Sequence, residues 1–164
     1  MPFTPFHLGP AILMYSLLRG RFELIVTILS NIIIDVEPFL VILLRLNMPL
    51  HGPIHSFLGA TLLAVLTSGL ANYLLPYLYR FIRLKYTYRY SQLLVASLTG
   101  TYCHILLDAP LYSEMKPFYP LSGNPLLYII EPGYIYGGCI FSFLVGFAVW
   151  GIWKLKQHIF LKIV

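Results

Sequence analysis

Four stretches of this sequence, Phe22–Leu44, Ile54–Tyr79, Ser91–Leu111 and Gly133–Trp153, run predominantly apolar. Each reaches the roughly 20 residues that a helix needs to cross the hydrocarbon core of a bilayer. In that medium every backbone N–H and C=O must be paired inside its own segment, which leaves helices as the economical solution. The expected fold class is therefore all-α: a polytopic membrane helical bundle with four full spans and a short N-terminal helix, forming a single integral-membrane domain over residues 1–164. The short helix, Pro5–Leu18, covers only about 21 Å at 1.5 Å per residue. It reads as a partial span or a re-entrant helix, hairpinned to the next through Arg19-Gly20-Arg21. Composition agrees. The chain is 59% apolar and 10% charged, against about 25% charged in soluble domains. Six acids and eleven bases do not cover a water-soluble surface. A soluble domain, a disordered chain and a disulfide-stapled scaffold are excluded. Cys103 and Cys139 lie in apolar segments and read as small hydrophobes. Met1–Gly9 carries no Lys or Arg, so no signal peptide is expected.

The net charge of +5 does not point to nucleic acid, because the bases are not gathered in one patch. Arg19 and Arg21, then Arg80, Arg83, Lys85 and Arg89, then Lys154, Lys156 and Lys162 fall on alternate connections. By the positive-inside rule those connections and the C-terminus are expected to be cytoplasmic. Tyrosines cluster at both predicted edges, as aromatic belts do: Tyr77, Tyr79, Tyr86, Tyr88 and Tyr90 on one side, Tyr112, Tyr119, Tyr128, Tyr134 and Tyr136 on the other. Gly138, Ser142 and Gly146 form a stripe of small residues suited to close helix contact.

Ionisable groups inside membrane helices are costly and point to function. Thr27, Asn31 and Asp35 share one face of the Phe22–Leu44 stretch, and Ser97, Thr101, His104 and Asp108 share one face of Ser91–Leu111. The predicted directions of the spans put Asp35, Glu37, His51, His55, His104, Asp108 and Glu131 toward the extracytoplasmic side. Counting back from the Gly20 turn places His7 near the depth of Asp35. Only His158 and Glu23 lie elsewhere among the histidines and acids of the apolar segments and tail. Imidazole and carboxylate together suit zinc, iron, manganese or nickel, and His104 and Asp108 at i, i+4 can reach one ion. Pro53 sits between His51 and His55, so His51 is expected in the loop ahead of the helix. Asp35 and Glu37 cannot share a face of a regular helix; a break near Glu37-Pro38 would turn both inward.

The segments TPFHLGP, IIIDVEP, HGPIHSFLG and CHILLDAPLY resemble the LexA-binding, inner-membrane-associated metal-dependent hydrolase family. The resemblance spans about residues 3–125. It rests on an early His near a Gly, an acidic helix break, an H-x-G-x-x-H-S-like segment and an H-x-L-x-D helix. It implies His7, Asp35, His51, His55, His104 and Asp108 as metal ligands. Two departures stand out. An Arg common in the His segment of relatives is missing from His51-Gly52-Pro53-Ile54-His55-Ser56, and Asp35-Val36-Glu37-Pro38 replaces an Asp-x-Asp-His pattern.

The expected activity is metal-dependent hydrolysis at the extracytoplasmic face, with membrane lipid as partner and a lipid phosphoester as substrate. The cofactor is a divalent metal, zinc first, with manganese or iron as alternatives. His55, His104 and Asp108 hold the ion, and His51, Asp35 or His7 complete the shell or hold a second. A bound ion lowers the pKa of water from about 15.7 toward about 7, and Asp35 or Glu37 acts as general base. Ser56 would support a ligand, and Ala109–Pro125, with Lys116 and Glu114, would form a lid. The alternative is a non-enzymatic membrane protein conducting metal ions or protons along the same stripes. A regulatory scaffold is a third reading, without a DNA-binding motif to support it. H-E-x-x-H, G-x-S-x-G and P-loop motifs are absent.

Overall fold

The computed structural model describes residues 4–18 and 21–163, with side chains described over 6–18 and 21–156. The hairpin residues Arg19 and Gly20, and the side chains of His158 and Lys162, lie outside this description. The described residues form six α-helices: α1 (Leu8–Leu17), α2 (Leu24–Ile33), α3 (Val36–Leu43), α4 (Phe57–Phe81), α5 (Tyr90–Asp108) and α6 (Pro132–Ile163). Short 3-10 turns precede α1 (Thr4–His7) and α4 (Pro53–His55). There is no strand among the described residues.

Three helical segments are long and apolar enough to cross a membrane: Leu24–Leu43, which joins α2 and α3, Phe57–Phe81, and Pro132–Lys156. The sequence predicts four. The Ser91–Leu111 stretch does fold as one helix, α5, but its buried face carries Ser97, Gly100, Thr101, His104 and Asp108 beside Leu93, Ala96 and Ile105, and that polar load takes it below the apolarity of the other three. Two further boundaries differ from expectation. α4 begins at Phe57 rather than Ile54, because Ser56 caps it by accepting from Gly59 N–H at 3.1 Å. The last helix runs on well past Trp153, through the basic tail.

Contacts fix the relative directions. Asn31 donates through Nδ2 to Gly100 O (3.2 Å), and Gln92 donates to Arg21 O (2.8 Å), so α2 and α5 run parallel. α4 runs against both: Tyr79 O–H reaches Glu23 at one end (2.7 Å), and His55 meets Glu37 at the other (2.8 Å). α1 and α6 lie parallel to each other, with Phe6 against Tyr136 and Gly9 against Cys139. This is the alternation that the charge pattern predicts for helices crossing back and forth.

Glycines set how closely these pairs approach. A Cβ on Gly100 would stand 2.5 Å from Thr27 O, so α5 needs glycine there to lie on α2. On α6, Gly146 touches Leu13, whereas Gly138 has open space around it. The predicted small-residue stripe thus works at one end only, and Gly9 of α1 supplies the other close approach, against Cys139 O. The apolar core is thin: Ile34, Ala60, Ile105, Ala109 and Met115 form one buried cluster, and Val26, Leu75, Leu93 and Ala96 another. Much of the remaining apolar surface faces outward, as expected where the surroundings are lipid.

Candidate metal centre

The helix break that matters lies between α2 and α3. Asp35 N–H bonds to Ile32 O (3.0 Å) and Glu37 N–H to Ile34 O (3.2 Å), both three-residue reaches of the 3-10 kind. Each such residue turns about 120° rather than about 100°, which swings Asp35 and Glu37 toward a common side. The break therefore falls at Ile34–Asp35, earlier than Pro38 suggests, and Pro38 sits in the first turn of α3, where its missing N–H costs nothing.

Asp35, His55, His104 and Asp108 converge there. One ligand atom from each lies within 4.8 Å of the others, a set able to hold a metal ion. His55 and His104 are fully buried, Asp108 is buried, and Asp35 is partly accessible. His104 Nε2 stands 3.0 Å from Asp108 Oδ2 and 3.4 Å from Asp35 Oδ1, yet it is in hydrogen-bond geometry with neither carboxylate. Its other nitrogen, Nδ1, lies 2.7 Å from the backbone carbonyl of Asn31. A carbonyl only accepts, so Nδ1 carries the proton and Nε2 presents either a lone pair or a second proton to the carboxylates.

His55 follows the same plan. Nδ1 donates to Glu37 Oε2 (2.8 Å), and Nε2 is buried with no hydrogen-bond partner among the described residues. Desolvation, with His51 and His104 nearby, holds the imidazole below its ordinary pKa despite the hydrogen bond to Glu37. An imidazole whose far nitrogen donates to a carboxylate or carbonyl while the near one is bare is how proteins orient metal-binding histidines.

Glu37 stands outside the group of four. Its carboxylate accepts from the backbone N–H groups of Gly52 (3.1 Å), Ile54 (3.2 Å) and His55 (3.2 Å) as well as from the His55 ring. It ties the loop before α4 to α3. Gly52 makes this possible, since a Cβ there would lie 2.5 Å from Glu37 Oε1. Ser56, expected to support a ligand, instead donates to Pro53 O (2.6 Å) and caps α4.

His7 and His51 flank the four from opposite sides. His7 Nε2 is 3.1 Å from Asp108 Oδ1, and its ring lies 4.2 Å from that of His104. Asp108 thus has an imidazole at each oxygen. His51 lies in the loop ahead of the helix, its ring edge-on to His55 at 4.7 Å and stacked on Tyr112 at 4.0 Å. His51 Nδ1 meets Glu114 Oε1 at 2.8 Å. Burial pushes the Glu114 carboxyl up, but the His51 hydrogen bond, a backbone hydrogen bond and the nearby His51 and His55 rings together outweigh it and leave the group below its ordinary pKa. Glu131 is exposed, outside the cluster.

The segment expected as a lid is pinned down. Asn124 Nδ2 donates to Ala109 O (2.6 Å) and Tyr112 O (3.0 Å). Phe57 N–H reaches Pro117 O (2.8 Å), and Met115 is buried beneath. The Asn31 carbonyl and the Tyr112 ring are parts of the site that side-chain motifs do not reveal. The polar face of α2 marks Asn31, but nothing in the sequence marks its backbone oxygen.

No protein-family model matches the chain, and no curated protein or solved structure is similar to it.

Proposed function

We propose that the protein is a membrane-embedded, metal-dependent hydrolase whose site opens at the extracytoplasmic face, in line with the resemblance to the LexA-binding, inner-membrane-associated hydrolases. One observation carries this reading. Two buried imidazole nitrogens, His55 Nε2 and His104 Nε2, lack hydrogen-bond partners among the described residues and face carboxylates, while their opposite nitrogens are held. Buried polar atoms are seldom left in this state. A cation among them satisfies all four groups, so the donor set fits a divalent ion, with zinc the first choice for mixed imidazole and carboxylate.

His55, His104 and Asp108 hold the ion, and Glu37 and the Asn31 carbonyl keep the two imidazoles aimed. The ion supplies Lewis-acid polarisation and a lowered pKa for water. Asp35, the most accessible of the four, takes the proton from the attacking water on its carboxylate. His7, whose Nε2 stands 3.1 Å from Asp108 Oδ1, pairs with that carboxylate and keeps it oriented. α5 completes the bundle as a fourth span, its polar stripe turned to α2, with the basic connections and C-terminus cytoplasmic. A lipid phosphoester is the natural substrate at this depth.

The test is metal content of the detergent-purified protein, by inductively coupled plasma mass spectrometry, beside a His104→Ala, Asp108→Ala variant. About one equivalent in the wild type, lost in the variant, is expected for a single site with three protein ligands and an open position. A well-folded wild type that stays metal-free after reloading overturns the reading.

The competing reading, conduction of protons or metal ions, draws on Ser97 Oγ, Thr67 Oγ1 and Asn31 Oδ1, which are also buried without hydrogen-bond partners among the described residues. A conducting path needs such groups along the membrane's depth. His104-dependent flux across liposomes would favour it.

A further inference from the structure

Beside the metal cluster, the loop ahead of α4 and the loop after α5 enclose a cavity of about 200 Å³. Met48, Pro49 and Pro53 form its apolar walls, and His51, Glu114, Lys116 and Tyr119 its polar ones. Its position is set by His51, which lines the cavity and packs edge-on against His55. Whatever fills the space therefore lies next to the cluster.

The charges are arranged unusually. Glu114 and Lys116 both line the cavity, yet they form no ion pair with each other, and Lys116 makes none among the described residues. Glu114 is held instead by His51 through Oε1. A carboxylate has about four acceptor positions; His51 and a backbone hydrogen bond occupy two, so acceptor capacity remains for a ligand. Lys116 brings three donors and a positive charge. The Tyr119 ring offers a face to a cation. A cavity that keeps a positive and a negative side chain apart is complementary to a ligand carrying both signs.

We propose that this cavity binds a zwitterionic group, a phosphoryl joined to a short cationic amine, with the phosphoryl at Lys116 and the amine between Glu114 and Tyr119. Its service as a substrate site rests on the hydrolase reading; the binding itself does not. The same chemistry occurs in a phospholipid headgroup and in its free, deacylated form.

The test is calorimetric binding to the detergent-purified full chain, with and without zinc. The soluble ligands are glycerophosphoethanolamine, glycerol phosphate and ethanolamine. Nanodiscs of phosphatidylethanolamine or phosphatidylglycerol form the lipid arm. The zwitterion is expected to bind about tenfold more tightly than either half, the worth of one charged hydrogen bond. Glu114→Gln, which can still accept from His51, removes the advantage over glycerol phosphate. Lys116→Ala removes the advantage over ethanolamine. Binding of the soluble zwitterion identifies a free ligand, and binding only of phosphatidylethanolamine nanodiscs identifies the lipid; both support the assignment. Equal affinity for glycerol phosphate, no binding of any probe, or a preference that survives both variants overturns it. Metal content of the same preparations separates the two claims. Metal without headgroup preference defeats the cavity assignment alone, and preference without metal defeats the hydrolase reading alone.

Discussion

The bundle has two buried polar clusters, one at each end of α2. At its start, Glu23 accepts from Val26 N–H (2.6 Å) and Tyr79 O–H (2.7 Å), capping the helix and tying it to α4. Tyr86 and Tyr88 pack around Tyr79. At its far end, Asp35, His55, His104 and Asp108 stand close together with imidazole nitrogens left bare. Both clusters bury acids in an apolar segment. In the first, ordinary hydrogen bonds close the Glu23 carboxylate, as in a structural staple, and only the Tyr86 hydroxyl beside it lacks a partner among the described residues. The second is organised from behind, by Glu37 and a backbone carbonyl, and is incomplete in front. Burial of charge alone therefore does not distinguish a site from a staple; the direction in which hydrogen bonds run out does.

The contrast can be broken at its strongest point by Asp108→Asn. This removes the charge that both His7 and His104 face, and the loss of stability is expected to reach about 3–5 kcal/mol, as for breaking other buried ionic groups. Denaturation in detergent, followed by tryptophan fluorescence, measures it. Metal removal comes next. At a free ion concentration near 100 times Kd, the loaded protein gains about 2.7 kcal/mol, so a chelator should lower Tm in the wild type and leave a His104→Ala variant unmoved. Glu37→Gln is expected to weaken metal affinity by about 10- to 100-fold, the usual effect of disturbing a group that orients a ligand. Competition with a fluorescent zinc chelator reads this directly. The smallest effect sharpens the comparison from the other end. Glu23→Gln should cost about 1 kcal/mol as a weakened cap, with metal content unchanged. A loss of metal on that substitution would erase the distinction between the two clusters.

The helical class was legible because long apolar stretches leave few other choices, and the relative directions followed from where the bases fall. The span directions and depth counting brought His7, Asp35, Glu37, His51, His55, His104, Asp108 and Glu131 toward one end; the structure brings ligand atoms of Asp35, His55, His104 and Asp108 within 4.8 Å of one another, sets His7 against Asp108 and His104, and leaves Glu131 exposed. Three things escaped. Among the described residues the strongly apolar spans number three because the Ser91–Leu111 stretch puts polar residues on its buried face, which average hydropathy penalises and packing does not. The break lies at Ile34–Asp35 because 3-10 hydrogen bonds, which no single residue announces, tighten the chain before Pro38. Glu37 looked like a reactive acid; its work on the Gly52–His55 backbone depends on a loop closing over it from a distant part of the sequence, through a glycine with no room for a Cβ. Ser56 was misplaced for a related reason, since a Ser beside a helix start is equally a cap.

The meeting of His7 with Asp108 has a consequence for how the protein is made. The chain emerges from its N-terminus onward, so the first helix and the acidic break at Asp35 are made well before α5 exists. Until His104 and Asp108 have been synthesised, neither His7 nor Asp35 has the neighbours it keeps in the finished bundle. Assembly of the centre is thus a late event in biogenesis, and a chain stalled ahead of α5 would present its early ionisable groups to lipid or to the insertion machinery.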